Sequence, residues 1–281
     1  VDGLAAGKGV IIAETLEQAD AAIDDMLAGN RFGEAGHRVV IEEFLVGEEA
    51  SFIVMADGKN AIAFASSQDH KARDNGDTGP NTGGMGAYSP APVVSPKVHD
   101  WVMQHVIKPT VDGMATEGHP YTGFLYAGLM IAPDGSAKVL EYNCRFGDPE
   151  TQPIMMRLQS DLVELCELAI AGELKQTPVA FDPRAAVGVV MAAGGYPDSY
   201  RKGDVIQGIP VATDDSKVFH AGTAIKDANV VTNGGRVLCC TALGNNVTEA
   251  QQRAYQLVEQ IHWDNAYYRT DIAHRAIKRE Q

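Results

Sequence analysis

Basic side chains are in short supply: 23 lysines and arginines stand against 37 aspartates and glutamates, a formal net charge of −14 at pH 7. A nucleic-acid-binding face needs a basic stripe to neutralise phosphates, so no nucleic-acid partner is expected. A small anionic substrate stays open, because it answers to the local field of a cleft rather than to the total charge. Long apolar runs are missing too. No stretch approaches the roughly 20 residues that cross a bilayer, so no membrane partner is expected. Cysteine is rare, and Cys144, Cys166, Cys239 and Cys240 have no metal-site spacing. They read as reduced, small core residues of a cytoplasmic protein. The chain has no initiating methionine or signal peptide, opens inside a glycine-rich loop, and reads as a piece of a longer one. What is present is apolar content, 45% of 281 residues, enough to bury the cores of two or more domains.

Caps, turns and periodicity predict an α+β organisation. A short strand, 10–13, precedes a helix whose capping box is Thr15 with Gln18 and whose apolar face is Leu16, Ala19, Ile23, Met26 and Leu27. Strands follow at 39–45, 51–56 and 61–66, the last two joined by an Asp57-Gly58 hairpin turn. Residues 68–91 read as a long polar loop, DHKARDNGDTGPNTGGMGAYSPA from Asp69 onward, of the length that is usually functional or disordered. A helix over 96–116, strands over 124–131 and 137–142, and a helical stretch over 149–171 broken near Ser160 complete the first part. After a linker at 172–183 come strands at 185–192, 218–220, 230–231 and 236–243. The last clear helix is predicted from Thr248, with Gln251 completing its box.

The densest chemistry lies at Glu141-Tyr142-Asn143 and the Arg145-Phe146-Gly147-Asp148-Pro149-Glu150-Thr151-Gln152 run behind it. Glu141 and Asn143 alternate on a strand, so they point to one face and offer a carboxylate and an amide oxygen to Mg²⁺, a hard cation that shares substrate phosphates. Arg145 continues the alternation with a rigid fork suited to phosphate or carboxylate. Asp148-Pro149 also reads simply as a helix start, Asp at the cap and Pro in the first turn.

Two weaker signals precede it. The loop Gly3-Leu4-Ala5-Ala6-Gly7-Lys8-Gly9 fails the Walker A pattern, having three residues between its first glycines and Gly9 after the lysine. It reads as a glycine-rich lid whose N–H groups approach phosphates while Lys8 neutralises charge, or as a plain strand connector. Glu42-Glu43-Phe44-Leu45 with Glu48-Glu49 reads either as an exposed edge meeting adenine through backbone groups or as a solvated acidic edge strand.

Taken in order, the lid, the EEFL-G-EEAS segment, the DTGPNTGGMGAYSP loop and EYNCRFGDPETQ resemble ATP-grasp ligases, and among them the glycinamide ribonucleotide synthetase (phosphoribosylamine–glycine ligase) family. The resemblance runs through nearly the whole chain, including KVFHAGT and TNGGRVL, and RFGDPETQ is its most specific part. It implies an ATP-grasp fold, with a small lid lobe at 1–44 and a larger antiparallel-sheet lobe at 45–178, followed by a small C-terminal α+β domain at 183–281. It implies ATP-dependent ligation of glycine to 5-phosphoribosylamine through a glycyl phosphate in purine biosynthesis, with ATP and Mg²⁺ (or Mn²⁺) as cofactors, in a cytoplasmic monomer. By that resemblance Glu141 and Asn143 hold the metal, and Arg145 and Lys8 serve the reaction. Gly3, Gly7, Lys8, Gly9, Glu42, Glu43, Phe44, Leu45 and Glu49 bind the nucleotide, with Glu49 at the ribose. Asn81, Thr82, Gly83, Gly84 and Asp148 face the substrate.

Two departures stand out. Many ATP-grasp relatives carry a further metal carboxylate about twelve residues before the glutamate; Leu129 occupies that position. The family also has a lysine just before Val1-Asp2-Gly3 and an N-terminal domain ahead of it. A second expectation therefore stands beside the ligase: a nucleotide-binding module without turnover.

Overall fold

The structure, a computed structural model, describes residues 10–29, 33–175 and 177–281. Helix α1 (Leu16–Leu27) begins as predicted, Thr15 Oγ1 accepting from the Gln18 N–H at 3.2 Å. Its apolar stripe is less covered than expected, with Met26 buried but Leu16 and Leu27 exposed. A 3₁₀ turn spans Gly33–His37. The strands predicted at 10–13 and 39–45 do not form among the described residues. Apolar β-branched runs favour a pleated surface, but a strand exists only where its N–H and C=O groups find a ladder.

Strands β1 (Glu48–Asp57) and β2 (Ala61–Ala63) make the predicted hairpin, Asp57 Oδ1 accepting the N–H groups of Lys59 and Asn60 at 2.9 and 2.7 Å. The segment predicted as a loop instead carries β3 (Gln68–Asp69), β4 (Ala72–Asp74), β5 (Thr78–Asn81) and β6 (Gly86–Ser89). Helix α2 (Pro96–Val102), a π-helical turn (Met103–Ile107) and α3 (Lys108–Thr116) form the predicted single rod. The wide turn precedes Pro109, which has no N–H to give and would crowd a regular helix. Strands β7 (Thr122–Ile131) and β8 (Ala137–Asn143) lead to α4 (Thr151–Arg157) and α5 (Leu162–Ala171), and Asp161 caps α5 after the predicted break. The N-cap position of α4 is Glu150, not Asp148, which is drawn elsewhere.

The C-terminal part holds β9 (Ala185–Ala192), β10 (Ser216–His220), β11 (Thr223–Lys226), β12 (Asn229–Thr232), β13 (Arg236–Gly244), α6 (Val247–Val258) and α7 (His274–Glu280). The expected Thr248–Gln251 box is replaced. Asn246 caps α6, Glu280 of α7 accepts from the Val247 and Thr248 N–H groups, and Gln251 reaches Ile272 O instead.

Two antiparallel sheets organise these elements, ordered β2-β1-β7-β8 and β10-β13-β9-β6-β3. The second is completed by β3 and β6 from the middle of the chain. One face of the first sheet buries Phe52, Val54, Leu125, Ala127 and Leu129 against Val98, Val102 and Ile107 of the helical rod. On the opposite face, Ile53 and Met55 pack against Ile154 of α4 and Leu165 and Ala169 of α5. The second sheet packs against Ala250, Ala254, Leu257 and Val258 of α6. The sheets adjoin where Ser51 and Ser67 exchange backbone hydrogen bonds of 2.8 and 3.2 Å.

Candidate active site

Register builds the site. Pairing of β1, β7 and β8 puts Ser51, Gly128 and Glu141 in one row and Ile53, Tyr126 and Asn143 in the next. Because side chains alternate, Glu49, Ser51, Tyr126, Glu141 and Asn143 share the face that α4 and α5 pack against, a polar strip in which Ser51 and Tyr126 are buried and Glu141 is exposed. Asn143 Nδ2 lies 3.2 Å from Glu141 Oε1, so the predicted pair is side by side, with Glu141 exposed. A carboxylate and an amide on an open strand edge supply the oxygen donors a hard divalent cation takes. Gly128 keeps room in front of them: a Cβ there would meet Glu141 Cγ at 3.3 Å. Leu129 lies in the core on the other face, fully buried, so its place in the strand contributes nothing to the polar strip.

The second wall comes from Glu150 of the Arg145–Gln152 run and from Asp69 and Lys71, which sequence patterning does not single out. Glu150, buried behind the RFGDP turn, accepts from Ser51 Oγ at 2.7 Å, and Ser51 Oγ is 3.0 Å from Tyr126 OH. Lys71 Nζ lies 2.6 Å from Glu49 Oε2, so the carboxylate expected at the ribose is already ion-paired. Burial alone would lower the Lys71 ammonium; the charges of Asp69 and Glu49 overcome it and hold it above its ordinary value. Asp69 is pushed up to about 8, chiefly by burial and then by the charge of Glu150. Carboxylates outnumber cations along this strip, an arrangement that suits metal and ammonium ligands.

Arg145 follows β8, exposed, with Nη1 donating to Phe146 O at 2.9 Å. Asp148 is not a cap; its Oδ2 accepts from Arg236 Nη2 at 3.0 Å. Asn81 ends β5, and Thr82 turns back onto Lys71 O through both N and Oγ1, at 2.7 and 2.8 Å. Gly83 and Gly84 follow, facing the Asp148-Pro149 turn. Gly84 has φ +110°, and a Cβ there would meet Pro149 Cδ at 2.4 Å. Gly84→Ala is therefore expected to cost about 1–3 kcal/mol and to displace the turn carrying Asp148 and Glu150. Thermal melts of the two proteins check this. An unchanged melting temperature would show that the turn yields freely. Glu42, Glu43, Phe44 and Leu45 lie in a non-strand segment; Phe44 is exposed, and Glu43 Oε2 is 2.5 Å from Lys138 Nζ of β8. Gly3, Gly7, Lys8 and Gly9 fall outside the described residues.

A second polar cluster has ligand-type groups but a different use. His70, Asp77 and His274 bring side-chain atoms within 4.8 Å of one another. Asp77 is already held by Arg269 Nη1 at 2.9 Å and Arg275 Nη2 at 2.7 Å, and His70 Nε2 accepts the Ala273 N–H at 2.9 Å. Two guanidiniums beside the carboxylate oppose a cation there, so this is a hub of ion pairs. It joins the β4–β5 segment to the C-terminal tail.

The chain matches the family descriptions of the phosphoribosylglycinamide synthetase ATP-grasp (A) domain over residues 1–151 and the phosphoribosylglycinamide synthetase C domain over residues 186–275. It superposes on the biotin carboxylase domain of Hydrogenobacter thermophilus 2-oxoglutarate carboxylase, solved with MgADP and bicarbonate, with a TM-score of 0.69 at 14% identity, over 92% of this chain and 55% of that one. That likeness concerns the fold alone. It superposes more closely on phosphoribosylamine–glycine ligase from Thermotoga maritima, with a TM-score of 0.83 at 38% identity, over 96% of this chain and 67% of that one. The fold and the family match thus define an ATP-grasp protein. Phosphoribosylamine–glycine ligases of Vibrio vulnificus (strain YJ016) and Escherichia coli (strain K12) are 70% and 65% identical to it over 281 and 282 residues, covering 100% of this chain. The chain belongs to the phosphoribosylamine–glycine ligase family. It spans 66% of the length of those relatives. Among the described residues no helix is long and apolar enough to cross a membrane.

Proposed function

We propose that this chain carries most of the catalytic face of an ATP-dependent carboxylate–amine ligase that joins glycine to 5-phosphoribosylamine, releasing ADP and phosphate. The observation that carries it is the Glu141–Asn143 pair on an open strip opposite Gly128, in a chain with this family membership. Phosphoryl transfer asks the protein for positioning and charge neutralisation more than covalent chemistry. Glu141 and Asn143 would hold Mg²⁺ or Mn²⁺; when bound, the ion neutralises phosphate charge. Arg145 would orient the transferred phosphoryl group and the glycyl phosphate. Lys8 with Gly3, Gly7 and Gly9 would cover the phosphates and exclude water from the acyl phosphate. Glu42 to Leu45 would meet adenine, with Glu49, steadied by Lys71, at the ribose. Asn81, Thr82, Gly83, Gly84 and Asp148 would face the acceptor. The amine is nucleophilic when neutral, so no general base is assigned to a histidine.

The test is ADP formation from Mg²⁺-ATP that depends on both glycine and phosphoribosylamine, in this chain and in one extended to the full length of its relatives. Dependence on both substrates in the extended chain is the expected result. Nucleotide binding without such turnover in either would overturn the ligase in favour of a nucleotide-binding module.

A further inference from the structure

Arg236 opens β13, at an irregularity in its pairing with β9 between Arg236 and Leu238. Bulges of this kind re-aim a side chain out of the sheet, and here the guanidinium reaches the Gly83-Gly84 loop that precedes β6 of its own sheet and the Asp148 turn that follows β8 of the other. Its Nη1 donates to Gly83 O at 2.6 Å and to Asp148 O at 2.7 Å, and its Nη2 to Asp148 Oδ2 at 3.0 Å. Tyr196 makes a second, independent connection: its OH accepts the Gly83 N–H at 2.9 Å. Glycines make both approaches possible. A Cβ on Gly83 would meet Arg236 Cζ at 2.8 Å, and one on Gly235 would meet the Tyr196 ring at 2.3 Å. Two residues beyond Asp148, Glu150 holds Ser51 on the polar strip. A continuous path therefore runs from the C-terminal sheet through the Gly83-Gly84 loop and the Asp148–Glu150 turn to the row that contains Glu141.

We propose that Arg236 and Tyr196 are positioning residues for the acceptor substrate: they hold the Gly83-Gly84 loop and the Asp148–Glu150 turn in register against the Glu141–Asn143 strip. The inference rests on the ligase reading and adds to it that the C-terminal sheet sets the acceptor side of the site. Its Nη1 and Nη2 bond to backbone carbonyls and a carboxylate of the protein itself, so the guanidinium shapes the site through the loop and the turn. The fork geometry matters, because a lysine can reach only part of that set.

The test compares Arg236→Ala, Arg236→Lys and Tyr196→Phe in the full-length protein. Arg236→Ala is expected to lower kcat/KM for phosphoribosylamine by about 10²-fold while KM for ATP moves by less than about twofold, the split that misplacement of one substrate gives. Arg236→Lys should stay impaired, and added guanidinium should restore part of the activity of Arg236→Ala. Tyr196→Phe keeps the ring on Gly235 and loses only the acceptor, so it should show the same split at roughly tenfold, about 1.4 kcal/mol. It also keeps the test open if Arg236→Ala does not fold. Unchanged amine kinetics in the folded variants would overturn the proposal. So would a parallel loss for ATP and amine that tracks a fall in melting temperature, since that is a structural role alone. If the unmutated protein forms no ADP with glycine and the amine, the ligase reading falls and the proposal falls with it.

Discussion

Glu141→Ala is expected to remove turnover, lowering kcat by on the order of 10³-fold or more, because metal charge stabilisation is worth several kcal/mol. The fold should survive. Glu141 is exposed near the end of β8, and β8 is an edge strand of its sheet, so the change opens no cavity. Its hydrogen-bond partner, Asn143 Nδ2, is itself on the open face and can turn to water. Loss of function without loss of stability is thus the signature of a metal ligand at this position. Steady-state ADP release, a thermal melt and Mn²⁺ binding followed by relaxation enhancement are the three readouts. Normal turnover in the variant would sink the metal assignment, as would Mn²⁺ binding that does not change.

How much of this site was legible in the sequence depends on how far apart its parts lie along the chain. Glu141 and Asn143 are two positions apart on a strand whose period is two, so their shared face follows from the sequence alone. Lys71, Asp69 and Glu150 complete the same strip from other elements, and nothing in local patterning links Lys71 to Glu49 or Glu150 to Ser51. Arg236 and Tyr196 are more distant still, and the only local hint is the glycine at each point of contact. Segment 68–91 read as a loop because its strands are two to four residues long and rich in glycine and polar groups, without the apolar alternation that marks a half-buried strand. The opposite error affects 39–45, apolar and β-branched yet without a ladder among the described residues. Asp148 carried a sound cap signal, but an arginine from the C-terminal sheet takes its carboxylate, and Glu150 stands at the helix start. Local propensity lost there to a long-range ion pair.

The hub at Asp77 leads to the other large effect, on stability. Arg269 is fully buried, and its guanidinium is matched by Asp77 Oδ1 at 2.9 Å, by Asp271 Oδ1 and Oδ2 at 2.8 Å each, and by Ala72 O at 3.1 Å. Asp77→Asn leaves that charge short of a partner and turns an amide toward Arg275 and His274. Removing one member of a buried ion-paired set costs about 3–5 kcal/mol, and a fall in melting temperature of roughly 5–10 °C is expected. The hydrogen bond from His70 comes first among the forces that hold the Asp77 carboxyl well below the usual carboxylate range, and Arg269 and Arg275 add to it against burial. Burial lowers His70, whose Nε2 must stay unprotonated to accept the Ala273 N–H. Both folded values lie below the unfolded ones, so both contributions are complete above the unfolded pKa and are lost as pH falls. His70 begins to withdraw its share below about pH 6.5 and Asp77 below about pH 4. Lowering the pH from 7.5 to 5 should therefore withdraw the share of His70, opposed by Asp69, whose raised folded value adds stability over the same interval, and Asp77→Asn should show its full deficit already at pH 7.5. Melts of both proteins at the two pH values decide it. A variant within a degree of its parent at pH 7.5 would mean that Asp271 alone satisfies Arg269, and that the β4–β5 segment is held to the C-terminal tail by its other bonds, from Asn75 to Thr270 and from Gly76 to Asp271.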